Sequence, residues 1–242
     1  LKPIVHHGRI EFAMLALDQI ITQAAKWNYM FGGDYPCPLV SRICIGRQWG
    51  NGPQHTFGMH SAFLQTPNLD VYIPATPKSA RNSLVCSFKS EVSAVILEHR
   101  WLYKTNEDFD PPAFLEERRR HGVRYSIKGG DDFTVLTYAD GLLEALTAMK
   151  ILNGFGVNGS VIAFEYFGGD RDIHPEISEA IKKANNLIIL DTSPYQYGVM
   201  SGICSILMKK GLTFSQLNTG YLTPEFQSCP TSTLLTKNYY PN

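Results

Sequence analysis

His55 follows Gln54 at the end of a stretch with glycines at positions 46, 50 and 52. A histidine titrates near neutral pH, so at a pocket it can hold or move a proton. Glycines let a loop backbone come close to a bound molecule. A phosphate cradle opens directly into a helix, but here Gln54-His55 intervenes. The loop is therefore read as shaped for close approach to a cofactor or substrate rather than for gripping a diphosphate. By residue type alone two readings stand: an active-site histidine delivered by a glycine loop, or a structural histidine after an ordinary turn.

Other chemistry-bearing residues surround this segment in sequence. His6-His7 lie in a stretch read as a strand end, where adjacent side chains face opposite sides, so at most one of them enters a given pocket. Arg9 and Glu11 can share that polar rim. Phe12 opens an apolar helix and is a core residue by default. Tyr29-Met30-Phe31 at the helix end suit packing against a neighbouring subunit. Asp170-Arg171-Asp172 and Arg118 to Arg120 read as solvated segments, with a metal site and a docking face as the respective minority readings.

These residues need elements to position them. Apolar residues at Phe12, Leu15, Ala16, Ile20, Ala24 and Trp27 predict a helix from Phe12 to Tyr29, stopped by Gly32-Gly33. Ile4–Val5 ends a strand, and Leu39 to Ile45 forms another. A helix is expected over Phe57 to Gln65, a strand over Leu69 to Ile73, a helix after the Thr76-Pro77 cap through Phe88, and a strand over Ala94 to Leu97. Lys104 to Arg124 is charged, holds two prolines and lacks an apolar face, so it reads as a connection with at most a helical turn. Alternation then resumes. Strands are expected at Phe133 to Tyr138, Ser160 to Tyr166, Leu187 to Leu190 and Phe214 to Leu217. Helices are expected at Gly141 to Leu152, Pro175 to Ala184 and Tyr197 to Lys210. The pattern predicts an α/β protein of two domains, each a mainly parallel sheet flanked by helices. Residues 1–103 form the first, 104–127 the linker and 128–242 the second. In such sheets, sites lie at the carboxyl ends of strands, as the Arg42–His55 stretch would.

Composition narrows the classes. Hydrophobic residues make up 44% of the 242 and charged ones 18%, enough for a real core. Lys+Arg and Asp+Glu are both 22, which argues against nucleic acid and anionic membranes as partners and favours self-association. No apolar run approaches a membrane span. The odd, scattered cysteines at 37, 44, 86, 204 and 229 suit reduced thiols in cytoplasm, or in a mitochondrial matrix or plastid. No C-x-x-C pair exists, so no zinc site is predicted.

The segments DQIITQAAKWNYMFGG, PLVSRICIGRQWGNGPQH, PATPKSARNSL and VILEHRWLY resemble the beta subunits of thiamine-diphosphate-dependent 2-oxo acid dehydrogenases of the pyruvate and branched-chain type. DDFTVLTYADGLLEAL, LDTSPYQYG and the YYP end extend the resemblance more weakly. It implies a pyrimidine-binding fold followed by a transketolase C-terminal-like fold. It also implies an alpha-type partner that carries the diphosphate and its magnesium, a cofactor shared at the interface of a heterotetramer, and transfer of the acyl group to a lipoyl acyltransferase. The cofactor supplies the hard chemistry and the protein supplies orientation and proton control.

Under this resemblance Phe12 is the aromatic that stacks on the aminopyrimidine, and His55 faces the reacting centre. Gly8 and Leu15 occupy cofactor-contacting positions that hold larger or polar residues in better-known members. His6 and Gln54 are candidates for substrate contact. Arg42 sits in the matching strand and is given no role. The family's proton-handling glutamate corresponds to a position ahead of Leu1. The loop near Ser87 to Val92 lacks the family's cation-binding wording, so no potassium site is predicted. Ala163-Phe164-Glu165-Tyr166 replaces the family's acidic-Leu-Arg-Thr strand end, which puts partner contacts there in question. Two rival readings remain: a transketolase-like carboligating enzyme, and a scaffold subunit that has lost cofactor binding.

Overall fold

The computed structural model describes residues 1–46, 51–56, 58–106, 122–126, 130, 132–168, 173, 175–183, 186–193, 197–212, 217–221, 230–232 and 234–235. The acidic turn at 170–172, the arginines at 118–120 and the YYP end fall outside these residues.

The first sheet is ordered β1-β2-β4-β3-β8, with β1 at Ile4–His7, β2 at Val40–Ile45, β3 at Asp70–Tyr72, β4 at Ala94–His99 and β8 at Tyr166–Phe167. β1, β2, β4 and β3 run parallel, with Val40 opposite Ala94 and His6 opposite Arg42. β8 pairs antiparallel with β3. The second sheet is ordered β10-β9-β6-β7-β5: β5 is Gly122–Ser126, β6 Phe133–Thr137, β7 Gly159–Phe164, β9 Leu187–Asp191 and β10 Leu217–Tyr221. All of its pairs are parallel except β5 with β7. The expected α/β class with mainly parallel sheets is what the chain adopts.

Period-two alternation decides the packing. Ile43, Val71, Val95 and Leu97 of the first sheet and Leu136, Ile162, Phe164 and Ile189 of the second enter one continuous core. Val40, Tyr72, Ala94 and Ile96 face the other way and pack with Leu84 of α4, Pro77–Lys89. Val135, Val161 and Ala163 face Leu142, Leu146 and Met149 of α5, Gly141–Gly154. Both faces of each sheet are covered, which is why the strands read as unbroken apolar runs. Ile177 and Ile181 of α6, Pro175–Lys183, and Ile203 and Leu207 of α7, Val199–Lys209, complete the shared core.

The expected helix over 12–29 is helical from residue 10 to 30 but changes its winding. It begins as α1, Ile10–Ala13, tightens to a 3₁₀ turn at Met14–Ala16, widens to a π-helix at Asp18–Ala24 and ends as α2, Ala25–Met30. These changes rotate the apolar face. Ile10, Ala13, Ile20 and Ala24 are buried, whereas Phe12, Leu15 and Trp27, placed on the expected inner stripe, are exposed. Phe12 and Leu15 share the side that carries Glu11, Asp18 and Lys26, so apolar residues alone did not mark the buried side.

Two more differences stand out. Within the stretch read as a connection, Gly122–Ser126 forms an edge strand, with its pairing set by β7 rather than by its own pattern. The single strand expected over Ser160 to Tyr166 breaks at Glu165, and Tyr166–Phe167 joins the other sheet. The expected helix over 57–65 is the shorter α3, His60–Leu64, and the last strand begins at Leu217, with 213–216 outside the described residues.

Candidate active site

β1 and β2 end side by side and hold the elements that carry the expected site residues. β1 delivers His6, which is exposed, and His7, which is half-buried; one of the pair faces inward, as strand alternation requires. Burial and the neighbouring His6 lower the His7 pKa. Gly8 is exposed with open space where a side chain would stand. α1 follows at once, its first turn unsupported by any side-chain cap.

β2 ends at Ile45, and Gly46 begins the loop to His55. Residues 47–50 lie outside the described part. Gly52, at φ +74, leads into a 3₁₀ turn at Pro53–His55. The turn is held by the His55 amide donating to the Gly52 carbonyl at 3.2 Å and by the Thr56 hydroxyl donating to the same oxygen at 2.9 Å. This turn brings His55 back to α1: the His55 and Phe12 rings lie 5.4 Å apart at 44°. His55 Nδ1 is buried and has no hydrogen-bond partner. Phe12 keeps 55% of its surface exposed. A half-covered aromatic face beside an unpartnered imidazole nitrogen fits a flat, polar-edged ring.

The other expected residues stand apart from this pair. Leu15, one turn further on, is 88% exposed. Gln54 is exposed beside His55. Arg42 has a partner that its residue type did not reveal. Its Nε and Nη2 donate to both carboxylate oxygens of Glu98 on β4, at 2.6 and 2.9 Å. The Tyr103 hydroxyl donates to the same carboxylate at 3.0 Å. The hydrogen bond with Glu98 raises the Arg42 pKa, and burial raises that of Tyr103. This ion pair staples neighbouring strands.

Sequence reasoning missed a buried polar group behind the loop. His99 ends β4 and its ring fills the space above Gly46, where a Cβ would sit 2.0 Å from Nε2. The same Nε2 lies 3.6 Å from Asp140 Oδ1, and both side chains are buried. Arg9 Nη1 donates to the Gly46 carbonyl at 3.0 Å, and burial lowers the Arg9 pKa. His60, in α3, packs edge-on against Tyr138 at 5.5 Å with neither ring nitrogen hydrogen-bonded. Burial, and then the charge of His99, push its pKa down to about 3. The usable signal was polar residues at strand ends: His99 after AVILE and Tyr138 and Asp140 after FTVLT. Among the described residues no cluster of three His, Cys, Asp or Glu side chains could hold a metal ion, and no helix is long and apolar enough to cross a membrane. The four described cysteines are free.

No protein-family model matches the chain. Among curated proteins it is 29% identical over 218 residues to the pyruvate dehydrogenase E1 component subunit beta of Rickettsia felis, covering 88% of this chain and 64% of that protein. It is 30% identical over 214 residues to the mitochondrial subunit beta of Saccharomyces cerevisiae, with 86% and 57% covered. It is 24% identical, over its whole length, to the beta subunit of acetoin:2,6-dichlorophenolindophenol oxidoreductase from Cupriavidus necator, of which it covers 70%. The chain thus spans less than two thirds of the length of the pyruvate dehydrogenase relatives. Among solved structures it superposes on a split-gene transketolase described as an inactive beta4 tetramer, with a TM-score of 0.72 at 17% identity, covering 98% of this chain and 71% of that one. Campylobacter jejuni transketolase gives 0.67 at 14% identity, with 98% and 33% covered. The resemblance to E1 beta subunits holds along most of the sequence, and the fold is transketolase-like.

Proposed function

We propose that this chain is the beta-type half of a thiamine-diphosphate enzyme that decarboxylates a 2-oxo acid, works with an alpha-type partner and passes the acyl group to a lipoyl acyltransferase. The observation that carries this reading is the Phe12–His55 pair at the ends of β1 and β2, in a chain similar to E1 beta subunits over 88% of its length. The outward Phe12 face and the unpartnered His55 Nδ1 suit an aminopyrimidine edge and a substrate carboxylate. Thiamine diphosphate, when bound, supplies the electron sink for breaking the bond between a 2-oxo carbon and its carboxylate. Phe12 orients the ring by stacking. His55 hydrogen-bonds the substrate and holds or moves a proton at its imidazole. Gly8 leaves room beside β1, and Leu15, His6 and Gln54 meet cofactor or substrate from the rim. Residues 1–103 and 128–242 act as the pyrimidine-binding and transketolase C-terminal-like units, and the partner holds the diphosphate and magnesium. The compartment is cytoplasmic, or mitochondrial as the name of the yeast relative states.

The test is decarboxylation of 2-oxo acids by the chain alone and with an alpha-type partner. Activity is expected only in the mixture, because Phe12 and Leu15 lie open on this chain. Turnover by the isolated chain would refute the division of labour. Ketol transfer to an acceptor without any lipoyl protein would replace the reading with a transketolase-like one. Failure of the mixture to bind thiamine diphosphate would favour a scaffold subunit.

A further inference from the structure

The loop from Gly46 to His55 is held at its first residue by groups that come from three different parts of the chain. The His99 ring at the end of β4 occupies the volume a side chain at position 46 would need, 2.0 Å from an added Cβ, so Gly46 and His99 are matched. Arg9, directly ahead of α1, donates to the Gly46 carbonyl. Behind His99 stands Asp140, 3.6 Å from Nε2, and this carboxylate belongs to the second sheet's end.

Asp140 occupies the N-cap position of α5, where an aspartate ordinarily accepts a hydrogen bond from the helix amides. It makes no such bond here. The residue before it, Ala139, is fully buried and held at φ +49, a left-handed backbone that disfavours a Cβ. Strain of this kind persists only where the surroundings impose it. In this chain the strained turn accompanies a carboxylate that faces His99 instead of its own helix.

The far end of the same loop has a second anchor. His60 begins α3, five residues after His55, and lies edge-on to Tyr138, two residues before Asp140. Gly58 packs against the His60 ring, where a Cβ would meet Cε1 at 2.8 Å.

We propose that His99 and Asp140 are positioning residues: the second sheet sets the placement of His55 by holding the start of its loop through the His99 ring, with His60 against Tyr138 fixing the loop's end. His99 and Asp140 act on His55 through Gly46. The inference deepens the proposed site, yet it concerns only where His55 stands.

Hydrogen exchange of the full chain, read by mass spectrometry, tests it without any cofactor. In Asp140→Ala and His99→Leu, amides of 51–59 are expected to exchange roughly five- to thirtyfold faster, while β6 and β7 keep their protection. The His55 ring resonance should move in both variants. Asp140→Ala removes no ring from the core, so it keeps the test usable if His99→Leu does not fold. Unchanged exchange at 51–59 in a folded variant would overturn the proposal. So would a uniform rise across both sheets, which marks a merely structural role. Failure to bind thiamine diphosphate would instead count against the functional reading and leave this result standing.

Discussion

At the scale of single residues, exposure and burial separate roles that residue type could not. Phe12 is exposed over half its surface and therefore carries little of the fold. Phe12→Ala is expected to leave the melting temperature of the isolated chain nearly unchanged. It should weaken thiamine diphosphate binding by the complete complex roughly five- to tenfold, the worth of one aromatic stacking contact; calorimetric titration of the mixture measures this. His60 behaves in the opposite way. It is buried, and its pKa is lowered from 6.5 to about 3 in the folded chain. Between those values the unfolded chain binds the proton and the folded one does not, so stability falls as pH falls from 6.5 toward 3. The slope from this group is about 1.4 kcal/mol per pH unit. His99 lies close enough for its charge to act on His60, and Asp140 stands 3.6 Å behind His99. His60→Leu should flatten the acid limb of a urea-denaturation series between pH 6.5 and 4.5. An unchanged limb would show that His60 is not buried in its neutral form.

At the scale of elements, local chemistry explains some boundaries and packing explains the others. α4 begins where its sequence says it should. Thr76 accepts from the Ser79 amide at 3.0 Å, and the Ser79 hydroxyl accepts from the Thr76 amide at 3.0 Å. Thr76→Ala is expected to cost about 1 kcal/mol, read from the shift in urea midpoint. α7 starts under tertiary control. The buried Asp191 accepts from the Met200 amide, the Ser193 amide and hydroxyl, and the Tyr138 hydroxyl. Burial raises the Asp191 pKa against these hydrogen bonds, and burial followed by Asp191 raises that of Tyr138. Asp191→Ala strands several buried donors and should destabilise by about 3 kcal/mol or more. Ser193 lies within the LDTSP stretch, but the other two of the four donors depend on where Tyr138 and α7 come to rest.

At the scale of the whole molecule, the sheets are joined by more than sequence order. β8 leaves the second half to pair with β3. Tyr166 donates to Asp70 at 2.8 Å, and the Ala75 amide donates to Glu165 at 2.9 Å, both buried. The altered strand end at Ala163 to Tyr166 thus engages this chain's own first sheet. One hydrophobic core also runs from Ile43 and Leu97 to Ile162 and Ile189. Melting is therefore expected as a single transition, with calorimetric and van't Hoff enthalpies in agreement. Tyr166→Phe should lower its midpoint without splitting it; two resolved transitions would mean that the sheets are independent.

The sequence by itself determined the α/β class, the parallel strands and the family resemblance, because apolar runs with period-two faces and long ordered motifs are local properties. Through that resemblance it also singled out His55 and Phe12, forty-three positions apart, which the pairing of β1 with β2 and the turn at Pro53–His55 bring together. Reading apolar residues alone misplaced Phe12, Leu15 and Trp27 of the 10–30 helix, which has apolar side chains on its polar side as well and whose winding changes from 3₁₀ to π. The sequence did not reveal His99 and Asp140, forty-one positions apart, which meet only because two sheets bring their strand ends together. Pairing across sheets depends on packing geometry, which no window of sequence contains, and here that geometry sets where the His55 loop begins.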